Sequence, residues 1–344
     1  MKKSSRDRDF SNKKRDNVFT IILGICDVIA IIVLFLLYGP FHGFRDFLVT
    51  TAMSTMRHQY LATTFYSDEY IEKVLKRHSI MEPEGNTDIS EIIGTEEVYI
   101  DDYDREILDR NKNDLYKIIE IDEKGFSGYL VAIYDPAKIR VTYSKNLGYS
   151  GEYLVDMAKR EGAVIAINGG GFVDIEGKSN GGQAIGAVIS NGKIISNYGY
   201  SLYGGGIIGF TNDNKLLLTK KSATEAVKMG VRDGMSFGPF LVVNGEPSKF
   251  RGNGGYGIAP RTAIGQRKDG IVLMLVIDGR RPGHSLGVDM VELTNIMVKY
   301  GAYNASNLDG GGSSSMVVDG EVLSVAGGSG YTGERYLPNA WIVK

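Results

Sequence analysis

The sequence predicts an α+β fold: a largely antiparallel or mixed β-sheet core with a few packed helices, preceded by a single N-terminal transmembrane helix. Three observations lead there. Hairpin signals recur through the second half of the chain, at Asn191-Gly192, Asp269-Gly270 and Asp319-Gly320, each between strand-like runs. Few helical stretches interrupt them, so the regular strand–helix alternation of a doubly wound parallel sheet is missing. Finally, an apolar run of 21 residues, Val18 to Tyr38, stands alone near the start.

That run is long enough to span a hydrocarbon core of roughly 30 Å as a helix. Residues 1–17 carry seven Lys or Arg against three Asp, so the positive-inside rule predicts a cytoplasmic N-terminus and an extracytoplasmic remainder. The run exceeds the roughly 7–15 apolar residues of a cleavable signal peptide, and no clear small-x-small site follows it directly. Asp27 lies near its middle, where the apolar neighbours must outweigh the cost of a carboxylate.

Residues 39–78 read as a juxtamembrane helical segment. VTTAMSTMRHQYLATTF precedes SDEYIEKVLKRH, which Ser67 caps and in which Ile71, Val74 and Leu75 recur at helical spacing. His58 and His78 have no metal-ligand neighbours in sequence and read as structural. Residues 79–114 hold twelve Asp or Glu against three Lys or Arg, a local charge of −9, which predicts a solvated acidic linker. The glycine-centred order of an EF-hand is absent from it.

From residue 115 to 344 the pattern is that of one domain. YKIIEI, FSGYLVAIYDP and AKIRVTYS read as strands, and EYLVDMAKREG behind Ser150 as a helix. AVIAIN and the hairpins follow. VDMVELTNIMVKY reads as a second long helix, with Val291, Ile296, Met297 and Tyr300 on one stripe and Gly301 as its stop.

Composition removes several functions. A net charge of −2 offers no basic footprint for nucleic acid. The single cysteine, Cys26, excludes an intrachain disulfide and a multi-cysteine zinc site, and four histidines, only one in the glycine-rich half, argue against a histidine metal centre. GNGGYG at 252–257 fits the dinucleotide spacing, but Pro260 and a strand-like stretch follow where a helix should open. Neither a phosphate-binding P-loop nor a G-x-S-x-G elbow is present.

The 45 glycines greatly exceed the average of ~7% of residues, and most fall after residue 145. Four polar, glycine-flanked segments stand out: INGGGF (167–172), PRTAIG (260–265), IDGRRPGHS (277–285) and NLDGGGSS (307–314). Each adjoins a strand-like run, where loops carry function on a rigid scaffold.

NGGGF, PRTAIG, the DGR stretch ahead of the helix containing Glu292, and NLDGGGSSSM together resemble the phosphodiester glycosidase domain, over roughly residues 145–344. The chain departs from that pattern at Gly171, where the family often has an aromatic residue before Phe172. The resemblance implies hydrolysis of a sugar-1-phosphodiester at its glycosidic bond. Cleaving C1–O expels a phosphate monoester, already a good leaving group, so an anion clamp and one well-placed carboxylate suffice. Asp309 is the first candidate for base or nucleophile, since an oxocarbenium-like transition state needs a carboxylate near C1; Glu292 and Asp278 come next. Arg261 beside Thr262 offers a forked phosphate donor. The amides of Gly310, Gly311 and Gly312, with Ser313, form a candidate anion nest. Asn168, flanked by Gly169 and Gly170, is the candidate for sugar hydroxyls, and Arg280 and His284 for further phosphate contacts.

The expected protein is therefore a single-pass, membrane-anchored extracytoplasmic hydrolase acting on an envelope or exopolysaccharide sugar phosphodiester. Its expected partners are that sugar phosphodiester or cell-surface polysaccharide and the lipid bilayer through residues 18–38. No cofactor or metal site is predicted, and a divalent-cation requirement is left open. A non-catalytic sugar-phosphate binding or polymer-assembly module, and a transferase, are the alternatives.

Overall fold

The computed structural model describes residues 5–55, 58–85, 87–94, 100–174, 179–199, 204–324 and 334–344, with side chains from Asn17 onward. The basic segment expected over 1–17 lies largely outside the described side chains. A helix runs from Ser5 to Tyr38. Its stretch Asn17–Tyr38 has a mean hydropathy of 3.0 and is 6% buried, long and apolar enough to cross a membrane.

Every strand pairing among the described residues is antiparallel, which settles the mixed or antiparallel expectation. The largest sheet has seven strands in the order Glu246–Pro247, Phe240–Val243, Ala302–Asn307, Arg261–Arg267, Val272–Ile277, Phe126–Ile133, Tyr116–Glu123. Two five-stranded sheets pack against it. One contains Ile165–Asn168 next to Asn339–Val343, the other Val231–Phe237 next to Gly206–Thr211. The shared core is apolar throughout: Ile167, Phe210, Ile264, Met274 and Trp341 meet in one cluster. Burying each aliphatic side chain there contributes about 1.5–3 kcal/mol. Because Val272–Ile277 is covered on both faces, its six residues are all apolar and all buried.

Helices close the outer faces. Met290–Lys299 and the short helix Asp102–Leu108 cover the large sheet, and Leu154–Glu161 covers the sheet holding Ile165–Asn168. Asp289, whose side chain accepts from the Glu292 amide, starts the first of these, and Gly301 at φ 76 ends it. Its buried stripe is Met290, Leu293, Thr294, Ile296 and Met297, so Val291 lies off the expected face.

The Asn191-Gly192 and Asp319-Gly320 hairpins have both central residues at positive φ, as a two-residue loop matching the strand twist requires. At Asp269-Gly270 only Gly270 has positive φ; Asp269 instead accepts from the Arg267 guanidinium at 2.9 Å and from the Ile271 amide at 3.1 Å. A further hairpin of the first kind stands at Asn244-Gly245, with both residues at positive φ.

The acidic stretch differs most from expectation. Among its described residues, Ser79–Met81 pairs with Lys249–Arg251, Thr87 is buried against Leu218, and Ile107 and Leu108 enter the core at 0% and 3% exposure. Its carboxylates also find distant partners. Glu82 lies 3.0 Å from Lys220 and accepts from the Gly205 amide at 2.7 Å, while Asp104 lies 2.9 Å from Arg267. The segment is thus strapped to the domain rather than being a free linker.

The described residues of 39–78 form three helices, His42–Met53, Tyr60–Thr63 and Asp68–Arg77, around Val49, Ala52, Ala62, Ile71 and Val74. Ser67 caps the last by accepting from the Tyr70 amide. This bundle grips the loop 252–257. The Asn253 side chain donates to Thr50 Oγ1 at 2.8 Å, and the Asn253 amide donates to His78 Nδ1 at 3.2 Å. Asp46 lies 2.9 Å from His78 Nε2.

Candidate active site

Three strand ends meet at one edge of the large sheet. Arg261 pairs with Ile277 and Ala263 with Asn307, so Arg261, Asp278 and the Leu308–Asp309 turn emerge side by side. The second sheet brings Asn168 to the same place. Asn168 is fully buried, and its side chain makes three bonds. Nδ2 donates to the main-chain carbonyl of Asp309 at 2.6 Å, while Oδ1 accepts from Thr262 Oγ1 at 2.7 Å and from the Ser315 amide at 3.1 Å. The Asp309 amide in turn donates to Gly169 O at 3.0 Å. Asn168 therefore ties three predicted segments together. Its amide is committed to the protein, which differs from the sugar contact expected of it.

The first glycine run is a packing device. A β-carbon on Gly169 would stand 2.2 Å from Asn339 Oδ1, and one on Gly171 would stand 2.8 Å from the Phe237 ring. An aromatic residue at position 171 has no room unless Phe237 gives way, a physical basis for the departure noted there. The second run differs. The Gly310 amide donates to Asp309 Oδ1 at 3.0 Å and the Gly311 amide to Pro260 O at 2.8 Å, so two of the three nest donors are already engaged inside the loop. What glycine provides here is backbone conformation and close approach. Gly311 stands at φ 61, where a β-carbon would also lie 3.2 Å from Arg280 Nη2, and a β-carbon on Gly310 would lie 3.1 Å from Pro260 O, with Arg261 Nη1 beyond it at 3.6 Å.

Asp309 is the perturbed acid of this cluster. Burial pushes its carboxyl up from 3.8 to about 6; the Ser313 hydroxyl, the Arg335 charge and the Gly310 amide oppose that rise, and nearby Asp174 adds to it. An ionisation near neutrality is what acid–base or nucleophilic work requires. Arg261 is 6% exposed, and burial lowers it to about 10. Its guanidinium donates to Val288 O at 3.2 Å and to Gly257 O, leaving Nη1 on the Gly310 side. Arg280 keeps an exposed edge although its guanidinium is crowded: burial, then the like charge of Arg335, depresses its pKa. Its backbone at φ 61 is a conformation that non-glycine residues seldom adopt.

The other candidates divide. Asp278 is 2% exposed and bonds the half-exposed His284 through Nε2 at 2.8 Å, with its main-chain carbonyl accepting from Ser285. Glu292 occupies the first turn of its helix, where its carboxylate accepts from Asn295 at 3.4 Å; nothing described brings it to Asp309. Two residues were missed. Arg335 donates to Asp174 at 2.7 Å, lies 4.7 Å over the Phe172 ring, and acts electrostatically on both Asp309 and Arg280. Asp174 follows INGGGF by two residues, and its place in that polar strand-end loop is its sequence signal; Arg335 carries no local signal. Among the described residues no group of three or more His, Cys, Asp or Glu converges as metal ligands do.

A family model described as phosphodiester glycosidase matches residues 161–344. The chain is 31% identical over 180 residues to the SPbeta prophage-derived uncharacterized protein YomE of Bacillus subtilis, covering 50% of this chain and 27% of that one. It is 25% identical over 209 residues to the N-acetylglucosamine-1-phosphodiester alpha-N-acetylglucosaminidase of Bos taurus, covering 54% of this chain and 36% of that one. The chain thus spans only about a quarter to a third of these relatives' length. Among solved structures, the zebrafish N-acetylglucosamine-1-phosphodiester alpha-N-acetylglucosaminidase catalytic domain, auto-inhibited by its pro-peptide, aligns with a TM-score of 0.56 at 22% identity, over 68% of this chain and 85% of that one. That likeness concerns the fold.

Proposed function

The chain belongs to the phosphodiester glycosidase family, and from that premise we propose that it is a membrane-anchored extracytoplasmic hydrolase that cleaves sugar-1-phosphodiesters of the envelope or of an exopolysaccharide at the glycosidic bond. The observation that carries this reading is the juxtaposition of one carboxylate ionising near pH 6, Asp309, with arginines 261 and 280 against the glycines that follow it. The substrate needs both parts. A phosphodiester is an anion, and the departing phosphate monoester gains charge as C1–O breaks, so guanidinium groups stabilise the transition state more than the ground state. The oxocarbenium character that develops at C1 calls for a carboxylate.

In this reading ionised Asp309 serves as the base for water or as the nucleophile at C1. Arg280, with its exposed edge, takes the phosphate directly. Arg261, whose fork is partly held by main-chain carbonyls, supplies fixed positive charge behind Gly310. Asn168 and Thr262 position the Asp309 turn, and burial sets its charge state, with Arg335 and Asp174 as smaller, opposing influences. The domain runs from 115 to 344, joined by the packed acidic strap to the helical segment and the apolar helix, which fits a membrane anchor.

The test is incubation of the full chain with sugar-1-phosphodiesters, N-acetylglucosamine-1-phosphodiester first, beside Asp309→Asn. Equal release of free sugar and phosphate monoester by the wild type, lost in the variant, is the expected result. Binding of sugar phosphates without any product would replace the hydrolase with a binding module, and product only with an added acceptor would indicate a transferase.

A further inference from the structure

The residues that follow the apolar helix present an unusual surface. Phe41, Phe44, Phe47, Tyr60, Leu61 and Phe65 are all exposed, between 37% and 59%. Phe44 and Phe47 lie on the side of helix His42–Met53 turned away from buried Val49. A solvated helix would carry its charges on that outer side. Here both charged side chains are drawn elsewhere: Asp46 bonds His78 and Arg77, each at 2.9 Å, and the Arg45 guanidinium lies 5.8 Å over the Tyr70 ring, 2.9 Å from His42. The outer face is left aromatic and uncharged.

This face is continuous with the apolar helix. The Phe41 ring meets Phe35 edge-on at 5.3 Å, Tyr38 and Tyr66 rings lie 6.4 Å apart, and the Tyr66 hydroxyl donates to Leu37 O at 3.1 Å. Tyrosine concentrates at the headgroup level of bilayers, and Phe and Leu line the apolar faces of helices that lie in the interface. An exposed apolar patch of this kind needs an occupant.

We propose that the face formed by Phe41, Phe44, Phe47, Tyr60, Leu61 and Phe65 is a seat in the membrane interface, its occupant the headgroup and upper acyl region of the bilayer that the apolar helix spans. The inference rests on the membrane-anchor reading above and adds to it a fixed mount on the lipid surface. The C-terminal end of helix His42–Met53, at Thr50 and Thr51, holds the loop 252–257, and Gly257 O accepts from Arg261. The seat therefore also fixes how the candidate site stands relative to the lipid surface.

The experiment uses the full chain in phosphatidylcholine–phosphatidylglycerol vesicles. A fluorophore is placed on the native Cys26, or, in a Cys26→Ser background, on Phe44→Cys, Tyr60→Cys or Glu72→Cys, all exposed positions outside the bundle core. Nitroxide lipids labelled at the headgroup or deep in the acyl chain serve as quenchers. The expected result is strong deep quenching at position 26 and headgroup quenching at 44 and 60 several-fold greater than at 72. Deep quenching at 26 with 44 and 60 no more quenched than 72 overturns the seat and leaves the anchor standing. Absence of deep quenching at 26 overturns the anchor, and the seat with it.

Discussion

Asn168 Nδ2 donates to the main-chain carbonyl of Asp309 at 2.6 Å, across 141 residues of sequence, and so fixes the turn that aims the Asp309 carboxylate. Asn168→Asp keeps an acceptor for Thr262 and for the Ser315 amide but removes that donor and buries a carboxylate. It is expected to cost about 1–3 kcal/mol of stability or more, and to lower kcat. Chemical denaturation and steady-state kinetics check this. A rise in KM alone, at unchanged stability, would return Asn168 to the role of direct sugar ligand.

Asp309 has a folded-state pKa of about 6, above its ordinary 3.8. As pH rises between those values the unfolded chain releases its proton first, so the folded state loses stability across that window, by at most on the order of 3 kcal/mol. Asp309→Asn has no such penalty and can still accept from the Gly310 amide. The variant is expected to melt several degrees above the wild type at pH 7.5 and close to it at pH 4, by calorimetry. A variant less stable at pH 7.5 would contradict the burial account of the shift.

At Arg280 the backbone conformation and the charge separate cleanly. Arg280→Gly relieves the cost of φ 61 and removes the guanidinium over Gly311, whereas Arg280→Lys keeps a charge and loses the fork. The glycine variant is expected to be as stable as the wild type and to lose tenfold or more in kcat/KM, with the lysine variant between. Equal kinetics in all three would remove Arg280 from phosphate binding.

Gly257→Ala tests the mount. Its β-carbon would stand 2.4 Å from the Thr51 α-carbon, a contact that side-chain rotation cannot relieve. The bundle is expected to part from the loop, at a cost of about 1–3 kcal/mol, and hydrogen exchange to quicken in both 42–53 and 252–260. Unchanged exchange in the two segments would mean the contact is not needed for docking.

These results also explain what the sequence could carry. The two-residue turns at 191–192 and 319–320 were legible because Asn-Gly and Asp-Gly favour positive φ at both central residues, a preference that the side-chain bonds of Asp269 override at 269–270. The glycine-flanked strand ends were legible as a group, and they do meet. The acidic segment was misread because its burial depends on a few residues, Ile107 and Leu108 in the core and Glu82 and Asp104 on distant cations, which an average over 36 residues conceals. The same limit hid the Asp174–Arg335 pair, separated by 161 residues, and the role of Asn168, whose hydroxyl partner lies 94 residues away. The nest reading had the right loop, but Pro260 and Asp309 take two of its amides, a competition no motif displays.

The most direct test is the pH dependence of kcat/KM on N-acetylglucosamine-1-phosphodiester. Working as an ionised carboxylate, Asp309 should give a logarithmic rate that climbs with unit slope below about pH 6 and levels above it, a limb that disappears with the activity in Asp309→Asn. A rate that falls through pH 6, or a variant that retains the wild-type profile, would show that some other group carries the reaction.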